Sequence, residues 1–120
     1  EGYPGEQEYD GCYVFRFNPK TLQLDVMTKN LYRPNGIAFS HDEKKLYIAN
    51  TGEHVKCLYV FDVHDNKIIN QKLVYDFKPF FSDGFRSDKD GNIWTSAGKA
   101  IKCFNPNNQL IGQILVPELV

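Results

Sequence analysis

Short apolar runs, each ended by polar or turn-forming residues, follow one another along the whole chain. Several of them alternate apolar and polar side chains, which is the period of a half-buried strand, and none keeps the period of a helix. The pattern therefore predicts an all-β chain with almost no helix. The predicted strands cover residues 11–17, 22–27, 36–39, 46–49, 55–61, 67–77, 85–87, 93–96, 100–104 and 109–116.

Two features of these strands recur at a nearly constant spacing. Phe17, Phe61 and Phe104 each end an apolar strand, and they lie 44 and then 43 residues apart. The segment 33–42 is similar to the segment 81–90, with an offset of 48 residues. A four-stranded unit that repeats every ~40–50 residues is typical of β-propeller blades, which bury their faces only by stacking against each other.

This spacing fits roughly two and a half to three four-stranded blades into 120 residues. Propellers close with about four to eight blades, so residues 1–120 are predicted to form one partial β-propeller domain. Its expected partners are the missing blades of the same propeller. The sequence begins at Glu1 without an initiator methionine or a signal-peptide pattern, and we expect it to be a piece of a longer protein. The sequence does not determine the compartment, and we lean towards the cytoplasm.

Charge and composition exclude some partners. Lys and Arg total 14 against 15 Asp and Glu, with no basic run, so we expect no nucleic-acid partner. No apolar stretch reaches the ~18–20 residues that span a bilayer, so we expect no membrane partner. The three cysteines form no metal-binding or disulfide pattern and are expected to be buried thiols. We expect Trp94 in the core between blades, and a two-residue hairpin turn at Asp90 and Gly91.

The two similar segments carry a polar residue before glycine at matching positions, Asn35 in the first and Asp83 in the second. Equivalent positions of neighbouring blades point towards the same axis, so an amide oxygen and a carboxylate are expected to converge there. Both are hard oxygen donors, which suits Ca²⁺ or a similar divalent ion. The alternative interpretation is that both dipeptides are simple turns. Against this alternative, each precedes a strand in a blade that already has a separate turn.

Residues 33–51, RPNGIAFSHDEKKLYIANT, resemble the motif of the SMP-30/gluconolactonase/luciferin-regenerating-enzyme family. Residues 82–94, SDGFRSDKDGNIW, resemble its partner motif one blade further on, and residues 1–17 are similar to gluconolactonases. The resemblance implies a propeller that is six-bladed in the complete protein, with one divalent metal ion at the channel mouth. Ca²⁺ is the expected ion, with Zn²⁺ or Mn²⁺ as alternatives. The implied activity is hydrolysis of sugar lactones such as gluconolactone, so the expected partner is a small-molecule lactone.

The same resemblance implies roles for individual residues. Asn35 corresponds to a metal ligand, and Asp83 corresponds to both a metal ligand and the general acid/base. A glutamate ligand of the family's first blade has no counterpart here. Glu8 is the candidate for substrate binding, with Glu6 as the next choice. Ser82 departs from the family pattern, where many members carry proline, and we expect this to change loop stiffness more than chemistry.

Two other functions fit these residues. A paraoxonase-like esterase or lactonase would keep Ca²⁺ with Asn and Asp ligands and differ in substrate. A non-enzymatic propeller would act as a binding module with a structural divalent ion. In either enzymatic interpretation the chain alone is expected to be inactive, because at least one ligand and half of the channel are absent.

Overall fold

The computed structural model describes residues 5, 6 and 8–118, and these residues form ten strands and no helix. The all-β prediction is therefore confirmed, and the described residues contain no helix that could span a membrane. In chain order the strands are β1 (Cys12–Asn18), β2 (Gln23–Leu31), β3 (Pro34–Phe39), β4 (Lys45–Thr51), β5 (Lys56–His64), β6 (Lys67–Asp76), β7 (Phe85–Ser87), β8 (Ile93–Ala97), β9 (Ala100–Phe104) and β10 (Leu110–Leu115).

The described strands form two four-stranded antiparallel sheets and one two-stranded sheet. Each four-stranded sheet is a meander, β3-β4-β5-β6 in one and β7-β8-β9-β10 in the other, while β1 pairs with β2. The repeated Phe61 and Phe104 lie in the third strand of their sheets, and Phe17 lies in β1. By this repeat, β1 and β2 correspond to the outer half of a blade. The described chain therefore holds two complete blades and half of another.

The larger core lies between the two complete blades, and a smaller one lies between the half-blade and the middle blade. In the larger core the Phe77 ring meets the rings of Tyr75 and Phe104 edge to face, and Tyr75 is tilted against Phe104, with centroids 5.0 to 6.2 Å apart. The buried residues of the larger core are Tyr47, Ala49, Leu58, Val60, Phe77, Phe85, Ile93, Ala97 and Phe104. Those of the smaller core are Leu31, Leu46, Ile48 and Phe61.

Trp94 does not lie in the core, so that expectation is wrong. Its side chain is 37% exposed, and its indole Nε1 donates to the Asp88 carboxylate at 2.9 Å. The 48-residue offset that relates Asn35 to Asp83 also relates the buried Tyr47 to Thr95, which is 1% exposed. Because successive side chains of a strand face opposite sides, an error of one residue in the alignment reverses the predicted face.

The connection between β7 and β8 is longer than the predicted two-residue turn and uses residues 88–92. Gly91 alone within it has a positive φ, of 82°. The Asp88 carboxylate organises the loop by accepting hydrogen bonds from the Trp94 indole, from Asn92 and from the Asp90 amide. These hydrogen bonds, the one from Trp94 foremost, lower the pKa of Asp88 to about 2.

All three cysteines are free thiols. Cys57 and Cys103 are buried, as predicted, and Cys12 is half-buried. Burial raises the pKa of both Cys57 and Cys103, which keeps these thiols protonated and unreactive near neutral pH.

We expect Leu58→Ala to lower the free energy of unfolding by about 2–5 kcal/mol, because Leu58 is fully buried and its truncation leaves a cavity. Leu73→Ala, on the neighbouring strand β6, is the matched control. Leu73 is 57% exposed, so the loss there is expected to stay below about 1 kcal/mol. Urea unfolding of the two variants measures the difference, and equal losses would contradict the assigned core.

The loop at Asp88 predicts a pH dependence. The pKa of Asp88 is about 2 in the folded protein against an ordinary value of 3.8, so its ionised form stabilises the fold. That contribution is complete above about pH 4 and is lost as the pH falls through about 2. Asp88→Asn should therefore lower the urea midpoint at pH 7, and the difference from wild type should shrink near pH 2.

Asp90→Asn is the control for this experiment, because Asp90 contributes its backbone amide to the loop at 3.0 Å. Its midpoint should follow that of the wild type at every pH. A difference between Asp88→Asn and wild type that stays constant down to pH 2 would show that the carboxylate charge of Asp88 is unimportant.

Candidate active site

Asn35 and Asp83 lie side by side where the two complete blades meet. The Asn35 Nδ2 donates to Asp83 Oδ1 at 2.8 Å, across 48 residues of sequence. At the other end of the contact, where β3 and β7 both finish, the Ser87 hydroxyl donates to the Phe39 carbonyl oxygen at 3.0 Å. Hydrogen bonds thus join the two blades at the end of β7 and just before its start. The two side chains thus lie together, with the amide nitrogen of Asn35, rather than its oxygen, directed at the Asp83 carboxylate. Their convergence on a cation at the propeller axis and their roles as ligands stay predictions.

An irregularity in strand β3 sets the position of Asn35. Pro34 pairs with Asn50 and Ile37 pairs with Ile48, so three steps along β3 correspond to two along β4. The extra residue is a β-bulge, a feature that re-aims a side chain at the edge of a sheet. The exposed side chain of Asn35 lies within this bulge.

The turn interpretation of the two dipeptides is wrong. Asn35 and Gly36 lie inside β3, which begins two residues earlier than predicted. Asp83 and Gly84 lie in the irregular segment before β7. Both dipeptides lack the positive φ that a type I′ turn requires.

Glycine is required at position 36 for steric reasons, since the Asp83 backbone occupies the position that a side chain would fill. A Cβ at position 36 would overlap the Asp83 carbonyl oxygen and would come within 2.9 Å of the Phe85 ring. The ring is 3% exposed and cannot retreat without disturbing the larger core. The missing side chain of Gly36 therefore permits the close approach that brings Asn35 to Asp83.

The segment that carries Asp83 is held on its other side by strand β8. The buried hydroxyls of Ser82 and Thr95 hydrogen-bond to each other. The Asp83 amide donates to Ser96 Oγ at 3.3 Å, and the Ser96 amide donates to the Gly84 carbonyl oxygen at 3.3 Å. Sequence reasoning missed Thr95 and Ser96; the available signal was two consecutive hydroxyl residues in a strand of an otherwise apolar core.

A similar arrangement holds the segment before Asn35. The Asn50 side chain on β4 is 3% exposed, and its Oδ1 accepts from the Arg33 amide at 2.7 Å. The Thr51 amide donates to the Arg33 carbonyl oxygen at 2.9 Å. In both blades, then, a buried polar side chain of the second strand binds the segment that precedes the first strand.

Glu8, the predicted substrate-binding residue, lies exposed just before β1. Glu6 is likewise exposed. The structure thus brings together Asn35 and Asp83, and the role of Glu8 in substrate binding stays a prediction.

The donor chemistry of Asn35 and Asp83 fits a hard divalent cation, since it consists of one carboxylate and one amide. Within residues 5, 6 and 8–118, however, no group of three or more His, Cys, Asp or Glu side chains could hold a metal ion. Asn35 and Asp83 are two donors, fewer than the about six to eight oxygen ligands that Ca²⁺ takes.

The family model described as SMP-30/Gluconolactonase/LRE-like region matches residues 2–120 of the chain. The chain belongs to this family. Proteins similar to it include a gluconolactonase of Zymomonas mobilis, 35% identical over 118 residues, and a lactonohydrolase of Aspergillus oryzae, 29% identical over 112 residues. The matched regions cover 91% and 73% of this chain, respectively.

The fold is that of the family's solved structures. A gluconolactonase from Xanthomonas campestris superposes with a TM-score of 0.89 at 30% identity, over 97% of this chain. The β-propeller prediction is thereby confirmed. The chain spans 32% of the Zymomonas protein, 24% of the Aspergillus protein and 38% of the Xanthomonas chain. It therefore corresponds to about a third of a family member.

We expect Gly36→Ala to lower the free energy of unfolding by about 1–3 kcal/mol, because the added methyl group overlaps the Asp83 backbone. Gly84→Ala is the matched control, since a Cβ there meets nothing within 4 Å and the backbone has no positive φ. That variant should be neutral or should gain up to about 1 kcal/mol through reduced freedom of the unfolded chain. Urea unfolding compares the two, and a neutral Gly36→Ala would refute the close approach.

Proposed function

We propose that the protein containing this chain is a metal-dependent hydrolase of sugar lactones, with gluconolactone as the model substrate. The observation that carries the proposal is the hydrogen-bonded pairing of Asn35 and Asp83 from adjacent blades. The names of the relatives, gluconolactonase and lactonohydrolase, support lactone hydrolysis as the reaction class.

Asn35, through its amide oxygen, and Asp83, through its carboxylate, would hold the divalent cation. Two hard oxygen donors of which one is uncharged suit Ca²⁺ best, with Zn²⁺ and Mn²⁺ as the alternatives. When bound, such an ion supplies Lewis-acid polarisation of the lactone carbonyl. The remaining ligands would come from parts of the protein outside the described residues.

Asp83 would act as the general base and then as the general acid. Its carboxylate accepts a proton from the water whose oxygen attacks the carbonyl carbon. When the ring C–O bond breaks, the carboxyl returns that proton to the leaving ring oxygen, so the product is a hydroxy acid and Asp83 is regenerated. Positive charge beside a carboxylate favours its ionised form, which suits Asp83 to act first as a base.

The proposed role of Asn35 differs from that of Asp83, because an amide side chain does not take up or release a proton near neutral pH. By fixing its neighbour through a 2.8 Å hydrogen bond, it restricts the Asp83 carboxylate to one orientation. We further propose that Glu8 contacts the substrate, as the family resemblance implies.

The other blades of the same propeller are the proposed structural partners of this chain. Ile37 and Phe39 on the first strand of the middle blade are 51% and 50% exposed, and they line a cavity together with residues of the half-blade. On the half-blade itself Phe17, Leu24 and Val26 are 49–58% exposed. Apolar surface of this extent is normally covered by another element.

The test is lactone hydrolysis by the complete protein, followed with a pH indicator and gluconolactone as substrate. We expect EDTA to abolish turnover and one of Ca²⁺, Zn²⁺ or Mn²⁺ to restore it. Asp83→Asn removes the base and should lower kcat by about 10²- to 10⁴-fold. Asn35→Ala should raise the metal concentration needed for half-maximal activity.

Asp65→Asn is the matched control for the charge change. Asp65 lies in the exposed turn between β5 and β6 with a φ of 47°, a conformation that asparagine adopts readily. It should keep wild-type activity. Full activity of Asp83→Asn would refute the proposed base, and metal binding without turnover of any lactone would favour a binding module with a structural ion.

A further inference from the structure

The Asp83 segment is placed by hydrogen bonds that are more buried than the site itself. Ser82 and Thr95 are each 1% exposed, although both carry hydroxyl groups, and these hydroxyls bond to each other. A buried hydroxyl without a partner costs free energy, so each of the two side chains holds the other in place. Ser82 directly precedes Asp83 in the chain, so holding Ser82 restricts the backbone of Asp83.

Ser96 extends this contact to Asp83 itself. Its Oγ accepts from the Asp83 amide, and its own amide donates to the Gly84 carbonyl oxygen, both at 3.3 Å. Three consecutive residues, 82 to 84, are therefore bound to two consecutive residues of β8. We call this set of hydrogen bonds the β8 clamp.

Strand β8 is a rigid support for the clamp. It lies between β7 and β9 in the sheet, and Thr95 pairs with Phe85 on one side and with Lys102 on the other. The opposite side of the Asp83 segment meets the backbone of Gly36, where no side chain intervenes. The backbone of Asp83 is thus confined between two strands, and the 2.8 Å hydrogen bond from Asn35 restricts its carboxylate.

We propose that Ser82, Thr95 and Ser96 are positioning residues, which hold the Asp83 carboxylate in the orientation that catalysis needs. This inference rests on the proposed function for its catalytic consequence. The corresponding contact of Asn50 with the Arg33 amide, at 2.7 Å, shows that the middle blade also binds the segment before its own site residue from the second strand. Serine at position 82 thereby supplies by hydrogen bonding the restriction that proline would supply by its ring.

The test uses Thr95→Val in the complete protein, because valine keeps the shape of threonine and removes the hydroxyl. A small displacement of a catalytic group is costly, so we expect kcat for gluconolactone to fall about 10- to 100-fold with KM within about threefold. Thr95→Ser keeps the hydroxyl and should retain kcat within about threefold of wild type. Thr28→Val, in the half-blade, is the matched control and should leave kcat unchanged.

Hydrogen exchange at the Asp83 and Gly84 amides provides a readout that does not depend on turnover. We expect Thr95→Val to speed exchange of the Asp83 amide by about tenfold or more, while the β8–β9 ladder stays protected. The double variant Ser82→Ala/Thr95→Val removes both hydroxyls and leaves neither unsatisfied, which keeps the test decisive if the single variant does not fold.

The outcomes separate the two proposals. Faster exchange at Asp83 together with a lower kcat, both reversed by Thr95→Ser, supports the β8 clamp. Unchanged exchange at Asp83 in the folded variants overturns it, and so does an equal loss of kcat in Thr28→Val. If the wild-type protein hydrolyses no lactone, the proposed function fails, and the exchange rates alone then decide for or against the clamp.

Discussion

The close approach of strands β3 and β7 at Gly36 is the constraint on which the site depends. Because Gly36 has no side chain, the Asp83 backbone takes the place that a side chain would fill between the two blades. The Phe85 ring, buried next to the same glycine, links this contact to the core between the blades. Packing of the two blades and placement of Asn35 against Asp83 therefore have the same physical cause.

Hydrogen bonds on the buried side of the site hold the segments that carry Asn35 and Asp83, at positions where water does not compete for the polar groups. Ser82, Thr95 and Asn50 are 1–3% exposed and hydrogen-bonded, whereas Asn35 is exposed and Asp83 is half-buried. A hydrogen bond in such a buried position resists breaking, because opening it leaves unsatisfied groups away from solvent. The exposed residues can then face a ligand while the buried ones fix the backbone. Such buried contacts are needed for the segment 82–84, because it lies outside the strands and has no strand pairing to hold it.

Two adjacent blades place Asn35 and Asp83 at the same point of their repeat, 48 residues apart, and so bring them together. Stacked repeats can thus join residues that are distant in sequence. Under the proposed function, the remaining donors would come from parts of the protein outside the described residues. The two residues described here keep their mutual geometry because two whole blades and the core between them are present.

The sequence by itself determined the strands, the repeating four-stranded unit and the proximity of Asn35 to Asp83. The strands follow from local alternation of apolar and polar residues, and the other two follow from a nearly constant spacing. It did not determine which face of β8 is buried. The prediction for Trp94 is wrong because Trp94 and Thr95 both favour strands, and a shift of one residue in the alignment reverses the face that each presents. Only the tertiary structure decided that Asn35 lies in a bulge, that Gly36 is required by space, and that Thr95 and Ser96 bind the Asp83 segment. These features depend on atoms brought together from 13 to 48 residues apart in the chain, a relation that no local pattern records.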